Sequence, residues 1–501
     1  MVEMYPCCVE EFIKLAQKGN IVPVYEEYSA ALETPLSVFM KMRRGPYGFL
    51  LESVERGQSL GRYSFIGSEP YLLFSAKDGK VTIQENGRII DFASSDPLLE
   101  LEKIFKRYHP VKVPGLPGFT GGAVGYLGYD MVRYFEKLPP KKEEDTGFPD
   151  CMFMFTDTLV IFDHVRQTIQ VVVNVRVTDN PHHDYREAVR KIKFVSARLN
   201  DPLPLCQISN TAKPQKNLNY SYSLTSEQFQ EMVKEAKSYI KKGDIFQVVL
   251  SQRINIQLET EPLKIYRMLR SLNPSPYMFY LHLDDIRFVG SSPELLVKVE
   301  KEKVEVRPIA GTRPRGKDEF TEHQLEKELL ADEKEKAEHL MLVDLGRNDL
   351  GRVSRYGSVK VENFMEVEKY SHVMHLVSRV KGTLLPGCNC FDALRACFPA
   401  GTVSGAPKIR AMEIIDTLEP TPRGPYAGAV GYISYGGDMD TCITIRTLVV
   451  KQDTGYIQAG AGIVADSDPL KEYQETQNKA RALLRAVEMA ERGEAYVAGH
   501  R

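Results

Sequence analysis

Tryptophan is missing from this chain of 501 residues, which nevertheless holds 25 tyrosines and 22 phenylalanines. A large core accommodates an indole as readily as other rings, so the gap excludes no fold. Excess charge is missing too: Lys+Arg 65 against Asp+Glu 67 leaves a net charge of -2. That balance argues against binding nucleic acid through bulk electrostatics. No uninterrupted apolar run approaches the ~18 residues of a membrane span, and no membrane partner is expected. The richest run, Cys151 to Phe162, is interrupted by Thr156, Asp157 and Thr158. The first residues show no basic stretch leading into an apolar one, so no secretory leader is expected. The eight cysteines form no C-x-x-C pair. A zinc site is therefore not expected, and the thiols read as reduced ones in a cytoplasmic protein.

What is present is an ordinary globular composition, 43% hydrophobic and 26% charged, long enough for two or more domains. The first half alternates short β-rich runs with turns, and a denser β-rich stretch spans Cys151 to Val177. Helical spacing follows at Ala188, Ile192, Val195 and Leu199. The polar, proline-bearing stretch 206–221 reads as a linker between domains 1–205 and 222–501. Beyond it, Thr225 or Ser226 caps a helix that ends at Gly243, and a buried strand begins at Ile245. A charged helix is expected over Glu319 to Leu342, and a closing one over Leu470 to Glu491. Thr120–Tyr129 also echoes Tyr426–Tyr435 with six identities in register, the mark of a duplicated sheet element.

Chemistry concentrates in the second half. Glu335/Glu338 and Glu472/Glu475 are spaced i and i+3 on helices, so each pair presents two carboxylates in one direction. Brought together they would make an oxygen-rich pocket suited to Mg2+; equally, such spacing is common on a solvated face. Glycine-rich turns at Gly311, at Gly401–Gly405 and at Gly460–Gly462 can cradle carboxylates or phosphates, yet none has phosphate-loop or dinucleotide spacing. With Arg446 and Lys408 they suggest a small polyanionic substrate. His375 is either a structural histidine or a proton-transfer group.

Several long strings then coincide: Ser291-Ser-Pro-Glu294, Arg307 to Arg313, Glu338 to Asp349, Phe398 to Met412, Asp440 to Arg446, Gln458 to Ile463 and Glu475 to Arg481. In this order, across 222–490, the chain resembles the chorismate-utilising enzymes, in their anthranilate-forming branch. Leu50-Leu-Glu-Ser53 and Gly61 to Gly67 are similar to that family's N-terminal part. The resemblance implies an α+β fold of large antiparallel β-sheets packed as a sandwich with helices outside. It implies attack of ammonia on C2 of chorismate, departure of the C4 hydroxyl, and elimination of pyruvate to give anthranilate. It further implies Mg2+ as cofactor, held by Glu338 and Glu475 with Glu335 and Glu472 in the second sphere. Glu294 becomes the general acid, with His375 and Thr402 the other catalytic positions. Gly311, Thr312, Tyr426, Arg446, Gly460, Ala461, Gly462 and Lys479 become the substrate contacts.

Two positions discriminate within the family. Water-using members resemble this chain but carry lysine where Gln247 stands, and aminodeoxychorismate synthases carry lysine where Ala310 stands. Direct attack by ammonia is thus the expectation, with an aminodeoxychorismate-forming enzyme or a non-catalytic tryptophan-sensing subunit as alternatives. The family also implies tryptophan as a feedback inhibitor at Glu52, Ser53, Asn273, Pro276, Tyr277 and Met278. No nucleophile-elbow cysteine is visible, so ammonia is expected from a glutamine amidotransferase partner in a heterotetramer. An enzyme made when tryptophan is scarce gains from containing none, which gives the opening absence a rationale.

Overall fold

The computed structural model describes residues 4–53, 61–143, 146–203, 218–370 and 373–493. Two large antiparallel sheets, of 13 and 12 strands among the described residues, face each other with helices on both outer sides. Near-continuous apolar runs along the central strands, such as Gly122–Leu127 and Tyr277–Leu283, give each sheet two buried faces. Phe49, Phe279 and Leu281 pack between the sheets with Val124, Met154 and Val430. On the outer face of the larger sheet, Met278, Tyr280 and Leu448 meet helices through Phe39, Tyr266 and Leu483. The other sheet meets its helices through Val297, Val343 and Leu394. This is the expected sandwich.

The echo seen in the sequence is the centre of one sheet. Strand Gly122–Leu127 pairs antiparallel with Ala429–Ser434, and the equivalent glycines Gly125 and Gly431 stand opposite each other. A Cβ on Gly125 would lie 2.0 Å from Met152 O, and one on Gly431 would lie 2.1 Å from Asp440 O. Backbone approach from the next strand explains why both copies keep glycine there. The other sheet has the same centre, with Tyr47–Glu52 paired to Tyr277–Leu283.

From these two central pairs outward, the strand orders mirror one another, so the chain is two copies of one unit. Each copy runs strand, helix, strand, helix, five strands, helix, four strands, helix. The second copy adds two inserts, Ile309 to Lys369 and Gly401 to Leu418. Both halves therefore complete both sheets. Of the stretch expected as a linker, 206–221, residues 206–217 lie outside the described residues, and its end belongs to strand Tyr220–Tyr222.

Among local elements, Thr225 caps helix Ser226–Lys241 in a capping box with Gln228. The strand expected from Ile245 runs Gln247–Gln257, and the closing helix is Pro469–Arg492, ended by Gly493 at φ 68. The single charged helix expected over 319–342 is instead two, Glu319–Ala331 and Glu333–Gly351. Asp332 breaks them: its side chain accepts from the Lys334 and Glu335 N–H groups and starts a new helix. Among the described residues, no helix is long and apolar enough to cross a membrane.

Candidate active site

At one edge of the sandwich, a cavity of about 540 Å³ opens between the closing helix, helix Glu333–Gly351 and the strands beneath them. Strands Gln247–Gln257 and Thr454–Ile463 form its floor. There Gly460 and Gly462 leave room that any larger residue would fill: a Cβ on Gly460 would stand 2.8 Å from Tyr426 Oη, and one on Gly462 2.5 Å from Gln247 Nε2. Strand Ile309–Pro314 forms one wall and bulges between Ala310 and Thr312. Gly311 sits in that bulge at φ 65, where L side chains are strained, and faces Glu335.

Of the residues expected at the site, Glu294, His375, Thr402, Gly311, Thr312, Tyr426, Arg446, Gly460, Gly462 and Lys479 all line this cavity. So do Glu335, Glu338, Glu472 and Glu475. Ala461 does not, because successive residues of a strand face opposite ways and its methyl packs with Leu250 and Ile463 in the core. Lys408, grouped with Arg446 as a candidate for anion binding, also lies elsewhere, paired with Asp349 at 2.8 Å. The structure adds Lys334, Gln458 and Leu483 to the lining. Gln458 opens the string Gln458 to Ile463, and only proximity in sequence to the motifs hinted at the other two.

The four glutamates come from two helices, as i and i+3 geometry requires. Burial pushes the Glu338 carboxyl up, and the neighbouring charges of Glu335 and Glu475 push it further, while a hydrogen bond from Gln247 Nε2 at 3.2 Å opposes them. Glu472 is raised by burial and by Glu475 against a contact with Ser467. Glu475 is paired with Lys479 at 2.6 Å, and Glu335 with Arg313 at 3.2 Å. As arranged here, no three His, Cys, Asp or Glu side chains among the described residues stand together as a complete metal cage. Mg2+ does not require one, since it keeps several waters and takes one or two carboxylates. An all-oxygen set whose charges oppose each other fits a hard divalent cation.

Glu294 is set apart from these. It is buried, and burial pushes its carboxyl up to about 8; Lys479 pulls the other way. Thr402 Oγ1 also favours the charged form, although it makes no hydrogen bond of ordinary geometry. At neutral pH this group is a protonated acid facing the cavity. His375 Nδ1 lies 2.8 Å from Gly311 O, and a carbonyl can only accept, so Nδ1 carries the proton. Burial holds the imidazole below its usual range. It is therefore neutral, with Nε2 as its free lone pair. Arg446 holds the left-handed backbone conformation at φ 51, uncommon for a non-glycine residue, and its guanidinium is tied to Lys479 O.

Beneath the cavity a buried pair sets the frame. Arg423 binds Glu419 through Nε at 2.8 Å, donates to Val403 O and Val249 O, and lies over the rings of Tyr129 and Tyr426. It thus ties the turn that carries Thr402 to the floor strand and to Tyr426.

The residues expected to bind tryptophan gather at the end of the central pair of the larger sheet. Glu52 stands opposite Met278. Glu52 is held by the Tyr266 hydroxyl and by Arg270 at 3.1 Å. Ser53 Oγ is buried with no hydrogen-bond partner among the described residues. Asn273 donates to Ser291 Oγ at 3.2 Å, and Tyr277 to Asp440 at 3.0 Å. Pro276 and Met278 are buried beside them.

A two-sheet α+β body with an acidic, cation-suited cavity and one protonated carboxyl defines an enzyme for a small anionic substrate. The chorismate binding enzyme family matches residues 36–485, and the chain belongs to that family. The chain is 48% identical to anthranilate synthase component 1 of Acetivibrio thermocellus, over 97% of this chain and 99% of that one. The crystal structure of anthranilate synthase component I from Streptococcus pneumoniae TIGR4 superposes with a TM-score of 0.77 at 38% identity, covering 91% of this chain and 99% of that one. The menaquinone-specific isochorismate synthase from Escherichia coli shares the fold, with a TM-score of 0.67 at 19% identity and coverage of 96% and 98%.

Proposed function

We propose that this chain converts chorismate and ammonia to anthranilate and pyruvate, the entry to tryptophan synthesis, as the synthase subunit of a complex in the cytoplasm. The observation that carries the reading is the buried Glu294 carboxyl, neutral at pH 7 beside a cluster of four glutamates in one cavity. Glu338 and Glu475 would hold Mg2+, with Glu335 and Glu472 ordering its waters. The ion, when bound, anchors the ring carboxylate of the substrate and offsets its charge.

The chain's own residues supply the rest. Arg446 and the amides around Gly460 and Gly462 orient the carboxylates of chorismate. Glu294 gives its proton to the C4 hydroxyl, which leaves as water while ammonia bonds to C2. His375, neutral with Nε2 unprotonated, takes up a proton as pyruvate is eliminated and the ring becomes aromatic. Gln247 cannot act as a general base towards water, and Ala310 offers no amine to attack C2, so ammonia remains the nucleophile. That ammonia is delivered by a glutamine amidotransferase subunit, in a heterotetramer.

Incubation with chorismate, Mg2+ and ammonium should give fluorescent anthranilate and pyruvate. A product that keeps the enolpyruvyl group would assign the chain to aminodeoxychorismate formation instead, and no product would make it a non-catalytic sensor. Tryptophan acts as feedback inhibitor at the end of the central pair of the larger sheet. The Ser53 hydroxyl, without a partner among the described residues, supports this, since it can accept from the ammonium group of the amino acid. Ser53→Phe fills that place, and inhibition by tryptophan should weaken at least tenfold while uninhibited kcat is kept. Inhibition unchanged in the variant would remove the site from this position.

A further inference from the structure

Each turnover takes a proton from Glu294, and a buried acid needs a path by which to recover it. Asp349 and Lys408, from two of the longest sequence motifs, play no part in the main cavity. They meet behind it. Lys408, at the start of helix Lys408–Leu418, binds Asp349 Oδ2 at 2.8 Å, and both side chains are about nine-tenths buried. Asp349 also lines a second chamber of about 40 Å³, which shares Glu294, Leu342 and Thr402 with the active cavity. At about 10–15 Å³ each, about three or four waters fit there. Its outer side opens to solvent past partly exposed Leu345 and Ala400.

We propose that Asp349 is the relay group of Glu294, returning through the waters of this chamber the proton that the acid spends on the leaving hydroxyl. The balance is closed. The C4–O bond breaks and the hydroxyl departs as water with the proton of Glu294. The C2–N bond forms, and the nitrogen sheds one proton to solvent. One proton re-enters from solvent through Asp349 to Glu294, so neither carboxyl changes over a cycle. Lys408 occupies only Oδ2, which leaves Oδ1 for water. Burial holds the Asp349 carboxyl above its usual range, with Lys408 and Arg352 pulling it down. Cys397 and Arg307 complete the charged and titratable lining, and Arg307 is engaged by Glu368.

The proposal rests on Glu294 as the acid, and the tests separate the two. Glu294→Gln should abolish turnover whether or not the relay exists; retained turnover would overturn the acid itself. Asp349→Asn keeps the shape but cannot pass a proton as an acid does. Its kcat should fall at least tenfold, within the range of general acid catalysis, with KM for chorismate little changed. The solvent deuterium effect on kcat should rise, and imidazole or formate in the buffer should restore turnover with increasing concentration. Val306→Met fills the chamber from the strand side with Asp349 intact. It should lower kcat in the same way and resist buffer rescue. An unchanged kcat in Asp349→Asn, or a loss insensitive to both deuterium and buffer, would overturn the relay.

Discussion

At the scale of single residues, the proposed chemistry depends on one carboxyl being unlike its neighbours. The Glu294 carboxyl lies near 8 because burial penalises its charged form, whereas an unfolded glutamate titrates near 4.5. In the proposed mechanism its active form is the protonated one, so kcat/KM should be level through neutrality and fall about tenfold per pH unit well above 8. Stability moves the same way. The native state holds this proton where the unfolded chain has lost it, so its contribution is full below about pH 4.5 and fades as pH rises to about 8. A pH–rate profile with no alkaline limb between 7 and 9 would show that Glu294 is not the proton donor. The sequence marked Glu294 only through the string that contains it. Its burial comes from strands far apart in the chain, so its altered acidity could not be read from spacing. Lys408 shows the opposite failure: a lysine in a glycine-rich turn looks like an anion ligand until Asp349 is found to hold it.

At the scale of elements, spacing on helices was legible and the breaks between them were not. Both glutamate pairs face one cavity, as i and i+3 positions should. The break at Asp332 was missed because the flanking residues are all good helix formers. Asp332 followed by Glu335, three residues on, was the available signal. Glycines carried the other legible message. Gly462 is there for Gln247, whose amide lies where a Cβ would go and also donates to Glu338. Gly462→Ala should leave the fold intact, because the displaced group is the end of a flexible side chain. It should cost Glu338 a hydrogen bond to a charged group, about 1.5–3 kcal/mol. If Mg2+ is held as proposed, the Mg2+ needed for half-maximal turnover should then rise at least tenfold. A titration midpoint equal to that of the parent enzyme would mean that Gln247 does not position Glu338.

At the scale of the whole molecule, the duplication explains why a linker in the sequence does not separate two independent bodies. Sequence kept the echo at only one central pair, because a sheet constrains backbone approach at Gly125 and Gly431 far more than it constrains side chains elsewhere. Every described residue lining the active cavity lies at or beyond Gln247, since the inserts that build its walls belong to the second copy alone. Even so, the second copy without the first would expose the edges of Tyr277–Leu283 and Ala429–Ser434 together with Phe279, Leu281 and Val430. Bare apolar edges of this length associate or aggregate instead of staying monomeric. Residues 218–501 expressed alone should therefore be insoluble or inactive, although they hold all the chemistry. Co-expressed with residues 1–203, they should assemble through the two central pairs into an active complex, and gel filtration should show one copy of each piece. A soluble, monomeric 218–501 fragment with the turnover of the whole chain would mean that the halves are separate domains and that the shared sheets contribute nothing to the site.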